Sequence, residues 1–194
     1  MRHLRPADYR IMPWKNGGGS TIELAVFPDN SDVSVGSFAW RASIADVSAD
    51  GPFSRFPGYE RHIMAIEGDG MLLEVEEAPD IELRKLFIPA TFAGDWTVSG
   101  RLVGGPTRDF NLIVANSFGR SKLIVKSLEM DGRYRTAEGI EVVYVETGEL
   151  VAGGRLIGTG DTLVSEDERV ELRALHDPVR LIVGRIAPFQ AVSS

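Results

Sequence analysis

Glycine and proline, 21 and 10 of the 194 residues, interrupt this chain at short intervals, and the segments between them are rich in Val, Ile, Leu, Phe and Thr. Such segments are too short for an ordinary amphipathic helix but match strands bounded by turns. The pattern predicts an all-β chain with little helix. Within the segments the side chains alternate. Thr21–Phe27 sets Ile22, Leu24 and Val26 against Thr21, Glu23 and Ala25, and Ser37–Val47 opposes Phe38, Trp40, Ala42 and Ile44 to Ala39, Arg41, Ser43 and Ala45. Successive strand residues face opposite sides, so Arg41 and Ser43 share a face. Glu60–Ile66 likewise groups Arg61 with Ile63 and Ala65, opposite His62, Met64 and Ile66, while Asp109–Val114 groups Asp109 with Asn111 and Ile113.

Ahead of the first strand runs Pro13-Trp14-Lys15-Asn16-Gly17-Gly18-Gly19-Ser20-Thr21. Three successive glycines lose much backbone freedom on ordering. The run therefore reads either as a tight turn into the strand or as the lip of a pocket, with Trp14, Lys15 and Asn16 beside glycines that let a ligand approach backbone amides. Asp50–Tyr59 is dense in turn formers yet holds Phe53, Phe56 and Tyr59, which predicts that it folds against the body.

Lys and Arg number 21 against 28 Asp and Glu, a net charge of -7. No window is strongly basic, which argues against a nucleic-acid partner. Without cysteine there is no disulfide framework, thiolate nucleophile or Cys-based zinc site. Met1–Tyr9 is polar, and no run of about 18 apolar residues occurs. The expectation is a soluble, cytoplasmic protein with no membrane partner.

The strand Glu141–Glu146, the turn at Gly148 and the return strand Leu150–Ala152 echo the strand and turn ending at Gly68, and Gly160-Asp161-Thr162-Leu163-Val164 echoes Gly94-Asp95-Trp96-Thr97-Val98. The chain reads as an internal duplication, with a first barrel over 1–118 and a second over 119–194 that includes an Asp177-Pro178 turn. Strand, glycine turn, strand, Gly-Asp and strand is similar to the rhythm of cupin half-barrels. More specifically, "MPWKNGGGSTIEL", "FAWRASIADV", "GPFSRFPGYERHI", "IPATFAGD" and "GGPTRDFNLI" together resemble the HutD/Ves family of bacterial cupin-like proteins over most of the chain. The resemblance implies a double cupin-like barrel, or bicupin, and for the HutD branch an association with histidine utilisation. It implies no established reaction. Metal-binding cupins use an HxH pair, a carboxylate and a later His, whereas this chain has only His3, His62 and His176. The neighbours two places from His62 are Glu60 and Met64, too few ligands for a closed site, and no metal or cofactor is expected.

The first half instead offers Trp14, Lys15, Asn16, Gly17, Gly18, Arg41, Ser43, Arg61, Asp109 and Asn111 as candidate ligand-binding residues. Two arginines brought to one cavity bind carboxylates through paired hydrogen bonds, which points to a small anionic ligand, a dicarboxylate or an amide-bearing acid. The competing reading makes Arg41 and Arg61 outward residues paired with surface acids, and Asp109 and Asn111 a satisfied rim pair. Glu23 reads as the partner of Lys15 or of an arginine. The leading functional expectation is a metal-free small-molecule-binding bicupin, a sensor or regulator for an intermediate of histidine breakdown such as a urocanate-like or N-substituted glutamate anion. The alternative is a cofactor-free isomerase, lyase or hydrolase using Lys15 or His62 as acid or base. A third reading is an interaction protein whose barrels form a homodimer.

Overall fold

The computed structural model describes residues 1–32, 36–176 and 178–189; Asp177, half of the expected Asp177-Pro178 turn, lies outside them. Among the described residues the fold is β throughout apart from a single 3-10 turn at Pro6–Asp8. Two compact units form, one from Arg10–Phe118 and one from Met1–Tyr9 with the chain from Gly119 onward. The opening residues therefore do not join the first unit as expected from sequence. Arg2–Leu4 instead pairs antiparallel with Thr162–Glu166, a ladder that alternation within a three-residue strand could not announce.

In the Arg10–Phe118 unit the strands Arg10–Pro13, Gly19–Phe27, Trp40–Val47, Thr107–Ala115, Tyr59–Glu67 and Ala90–Ala93 lie side by side in that order. A second sheet holds Gly51–Pro52, Val98–Leu102, Met71–Val75 and Ile81–Glu82. Ala45, Val47, Ile63 and Ala65 from the first sheet meet Met71, Leu73 and Val98 from the second in one buried cluster. The cupin-like barrel is thus two facing sheets around a core rather than one closed ladder. The other unit repeats the plan, with Arg2–Leu4, Thr162–Glu166, Ile140–Thr147, Val179–Pro188 and Gly119–Leu128 in one sheet and Arg133–Arg135, Glu171–Ala174, Glu149–Ala152 and Arg155–Gly158 in the other. Its core joins Val143, Val145, Leu181 and Val183 to Leu150, Ala152 and Leu172.

The duplication is visible in the ladders. Arg108 stands opposite Glu67, the register then slips, and Asp109 faces Ala65; Arg180 stands opposite Thr147, and after the same slip Leu181 faces Val145. The glycine after each slip, Gly68 or Gly148, has φ near +90°, and a Cβ there would meet the carbonyl oxygen of Pro106 at 2.3 Å or of Pro178 at 2.7 Å. Carrying these registers along the strands equates Arg61 with Glu141, Ile113 with Arg185, Asn111 with Val183 and Asp109 with Leu181. The echo between the two Gly-Asp pairs has no such basis. Gly94-Asp95 follows the strand beside Tyr59–Glu67, whereas Gly160-Asp161 precedes the strand beside Ile140–Thr147. Both pairs are turn formers, which accounts for their similarity. Among the described residues no helix is long and apolar enough to cross a membrane.

Gly68→Ala should cost at least about 1 kcal/mol, since the added Cβ meets both a positive φ and a backbone oxygen. Urea unfolding should show a lower midpoint with an unchanged slope.

Candidate functional site

Three neighbouring strands, Trp40–Val47, Thr107–Ala115 and Tyr59–Glu67, form the wall of the site. Ile113 lies opposite Arg41 on one side and Arg61 on the other, so the two arginines flank it in one inward row. Ser43, Asn111 and Ile63 make the next row, and Ala45, Asp109 and Ala65 the third. Adjacent strands are about 4.8 Å apart, which sets the two arginine backbones roughly 10 Å apart. Glu23 faces Ser43, and a bulge at the following residue carries Val26 onto the Arg41 side, where strict alternation along Thr21–Phe27 had placed it on the opposite face.

A cavity of about 1030 Å³ opens in front of this wall. Of the sequence-predicted residues, Trp14, Lys15, Asn16, Arg41, Ser43, Arg61 and Asn111 line it, and Gly17, Gly18 and Asp109 do not. Among the described residues its charged lining is Lys15, Arg41, Arg55 and Arg61, with no Asp or Glu. Arg41 and Arg61 are 6% and 5% exposed. Arg41 Nε donates to Glu23 Oε2 at 2.8 Å; burial lowers its pKa and the Glu23 carboxylate opposes that. Arg61 donates from Nη1 to the Ser54 carbonyl at 3.0 Å and from Nη2 to Asn111 Oδ1 at 2.9 Å. The rings of Phe53, Phe56 and Phe92 surround its guanidinium at 5.2, 5.6 and 5.1 Å, contacts that favour a cation. Arg61 Nε is buried without a hydrogen-bond partner among the described residues. Burial brings the Arg61 pKa down to about 10, with Asp109 opposing the shift, so the group is charged at neutral pH.

The glycine run closes the hairpin between Arg10–Pro13 and Gly19–Phe27. Trp14 N–H donates to the Gly19 carbonyl, Gly17 N–H to the Trp14 carbonyl, and Gly18 N–H to Asn16 Oδ1. Gly17 takes φ +74°, while a Cβ on Gly19 would sit 2.2 Å from the Asp46 carbonyl oxygen and 3.1 Å from the Trp14 ring. The glycines therefore serve the turn, and the pocket-facing role belongs to Trp14, Lys15 and Asn16. Trp14 is held by Nε1 donating to Thr21 Oγ1 at 2.8 Å. Among the described residues no acid pairs with Lys15, and Glu23 belongs to Arg41.

Residues 6–182 match the HutD family. This chain belongs to the HutD family. A solved Pseudomonas aeruginosa PAO1 protein is 33% identical, with a TM-score of 0.83 over 95% of this chain and 97% of that one. HutD from Pseudomonas fluorescens SBW25 is also 33% identical, with a TM-score of 0.76 over 96% and 98%. A Pseudomonas putida protein encoded in the 3' region of hutC is 46% identical over 120 residues, 62% of this chain and 61% of that protein's length. The link to the histidine-utilisation gene region is thus present in a relative. More distant cupin-fold structures, a bacterial pirin and AerE among them, share the fold alone.

The two units of this HutD-family chain show why the cavity lies where it does. Gly51 and Gly100 are ladder partners that both line it; the corresponding partners in the other unit are Tyr134 and Leu172. There Tyr134 donates to Glu141 Oε2 at 2.8 Å and Arg185 Nε donates to Glu141 Oε1 at 2.5 Å, so acid, base and phenol satisfy one another. His62, offered from sequence as an acid or base, does not line the cavity: it points to the other face of the strand, with Nε2 3.1 Å from Glu60 and Nδ1 2.8 Å from Thr91 Oγ1. Among the described residues no three His, Asp or Glu side chains are placed to hold a metal. Sequence reading missed Thr21, Phe53, Phe56 and Gly100 as lining residues. The aromatic content of the 50–59 loop was the signal for two of them; Gly100 becomes visible only through the ladder.

Glu23→Ala leaves a buried guanidinium without its carboxylate and should cost about 3 kcal/mol in chemical denaturation. Gly100→Leu copies Leu172, displaces the Phe53 ring that a Cβ would approach to 2.6 Å, and should fill the cavity while the circular dichroism spectrum stays that of a folded β protein.

Proposed function

We propose that this chain is a metal-free binding protein for a small carboxylate-bearing anion, acting as a cytoplasmic sensor or regulator in histidine utilisation. The observation that carries this reading is the charge of the cavity: among the described residues four cations and no acid line it, in a chain whose net charge is -7. A guanidinium held in low-dielectric surroundings, with its partners fixed in advance, attracts an anion more strongly than an exposed one. Arg61 meets this description at the floor, and Lys15 adds charge at the mouth. The aromatic walls from Trp14, Phe53 and Phe56 suit a ligand with an apolar or planar body between its charged ends. Two arginine backbones roughly 10 Å apart across three strands favour a ligand with two anionic or amide-bearing ends. The gene neighbourhood of the Pseudomonas putida relative supports intermediates of histidine breakdown, urocanate-like or N-substituted glutamate anions, as the first compounds to test.

Thermal-shift screening of those intermediates and of simple dicarboxylates tests the reading. A ligand at a hundredfold its Kd adds about 2.7 kcal/mol, a rise in Tm of roughly 5–10 °C for a chain of this size. Arg61→Ala and Arg41→Ala should each abolish the rise. A panel in which no anion moves the Tm rejects the reading, and a rise that survives in both variants moves the site elsewhere.

A further inference from the structure

Behind the floor of the cavity lies a buried relay that anion binding by itself does not require. Asp109 is completely buried. Its Oδ1 accepts a hydrogen bond from Asn111 Nδ2, Asn111 Oδ1 accepts from Arg61 Nη2, and both Asn111 and Arg61 reach the cavity while Asp109 does not. The second carboxyl oxygen, Oδ2, has no hydrogen-bond partner among the described residues, and the flanking residues across the ladder are Ala45 and Ala65. One oxygen is thus hydrogen-bonded and the other is buried with no partner among the described residues, an arrangement that penalises a carboxylate and tolerates an acid. Leu181 occupies the equivalent place in the other unit, so the architecture does not itself call for a carboxyl group here.

We propose that Asp109 is a proton site coupled to the anion site, so that an anion settling against Arg61 draws a proton from solvent onto Asp109 and the pocket takes up both together. The proposal rests on the anion-binding reading above. Few charges face Asp109. Arg61, from Tyr59–Glu67, favours its carboxylate form, and Asp46, from Trp40–Val47, opposes it. Arg41 on that same strand is engaged by Glu23 of Gly19–Phe27, and Arg108 on the strand of Asp109 itself is drawn to Asp46 and Glu67. From the facing sheet Met71, Leu73 and Val98 join Ala45 and Ala65 in one apolar cluster. Burial pushes the Asp109 carboxyl up to about 7, while Arg61 and the Asn111 hydrogen bond hold it down. An anion at Arg61 offsets the charge that favours the carboxylate and brings a second negative charge close, and both effects favour the acid.

The sign of the pH dependence follows. Bound anion raises the proton affinity of Asp109, so anion affinity is greatest where Asp109 is already protonated and falls as the pH rises past its midpoint, by up to about tenfold per pH unit. In the free protein the raised value makes the folded state lose stability as the pH climbs from the ordinary aspartate range near 4 to about 7.

Carbon NMR of the whole chain with labelled aspartate carboxyls, titrated with and without excess formate against a sodium chloride control, reads the coupling directly, and Asp109→Asn identifies the resonance. Formate is small and fully ionised around neutrality, where the Asp109 midpoint is expected. The expected result is one carboxyl with a midpoint near neutrality that formate moves upward, together with formate affinity that falls with pH in the native protein and stays level in Asp109→Asn. Should that variant fail to fold, Asp109→Leu, copying Leu181, takes its place. A formate-induced rise in Tm that depends on Arg61 while the Asp109 midpoint stays still overturns the coupling and leaves anion binding standing. Formate that neither raises the Tm nor moves any carboxyl overturns both, and an Asp109 midpoint in the ordinary aspartate range overturns the coupling alone.

Discussion

Removing a guanidinium from water costs several kcal/mol unless charge or dipoles meet it, and the Arg10–Phe118 unit buries two of them in one inward row of its sheet. The two are stabilised in different ways. Arg41 has a carboxylate directly on its Nε, positioned by the bulge after Glu23. Arg61 has a backbone carbonyl, an amide oxygen and three aromatic faces, and Asp109 stands off behind Asn111. A direct ion pair leaves a weaker field outside it than a cation with no carboxylate bound to it. Dipoles and ring quadrupoles hold a cation in place without cancelling its charge, so positive potential survives at the cavity floor.

Much of the local structure supports that second arrangement. The 50–59 loop folds inward because Phe53 and Phe56 pack on Arg61. Gly100 allows Phe53 to lie where any side chain would collide with it. The hairpin turn through Gly17 and Gly19 brings Trp14 and Lys15 over the opening, with Trp14 anchored on Thr21. These features come from three separate stretches of chain, and their shared cause is one charge in a low-dielectric place.

The two units, alike in topology, show how duplication separates architecture from chemistry. Both retain the glycine after a register slip, with a proline carbonyl pressed against it. At the positions equivalent to Arg61 and Ile113 the other unit has Glu141 and Arg185, which neutralise each other directly. At the positions equivalent to Asn111 and Asp109 it has Val183 and Leu181, both fully buried. Tyr134 and Leu172 stand where Gly51 and Gly100 leave space. One unit places bulky and mutually paired side chains at these positions, and the other lines a charged hollow with the residues it has there, Asp109 excepted.

Alternation along the strands was enough to place Arg41 with Ser43, Arg61 with Ile63, and Asp109 with Asn111, because a strand's two faces follow from parity alone. The turn formers and apolar segments determined the all-β class and the duplication, and five motifs in order carried the HutD resemblance. Parity fails where the chain inserts a residue, and so Val26 changed face at the bulge. It is also blind to partners far along the chain. Only the ladders show that Ile113 lies between Arg41 and Arg61, that Arg2–Leu4 belongs beside Thr162–Glu166, that His62 turns away from the cavity and that Gly100 helps to open it. The sequence by itself determined which side chains could share a face, a local property of backbone geometry. The tertiary structure decided which faces meet and which charges remain unpaired there, because those depend on contacts between residues that no local pattern links.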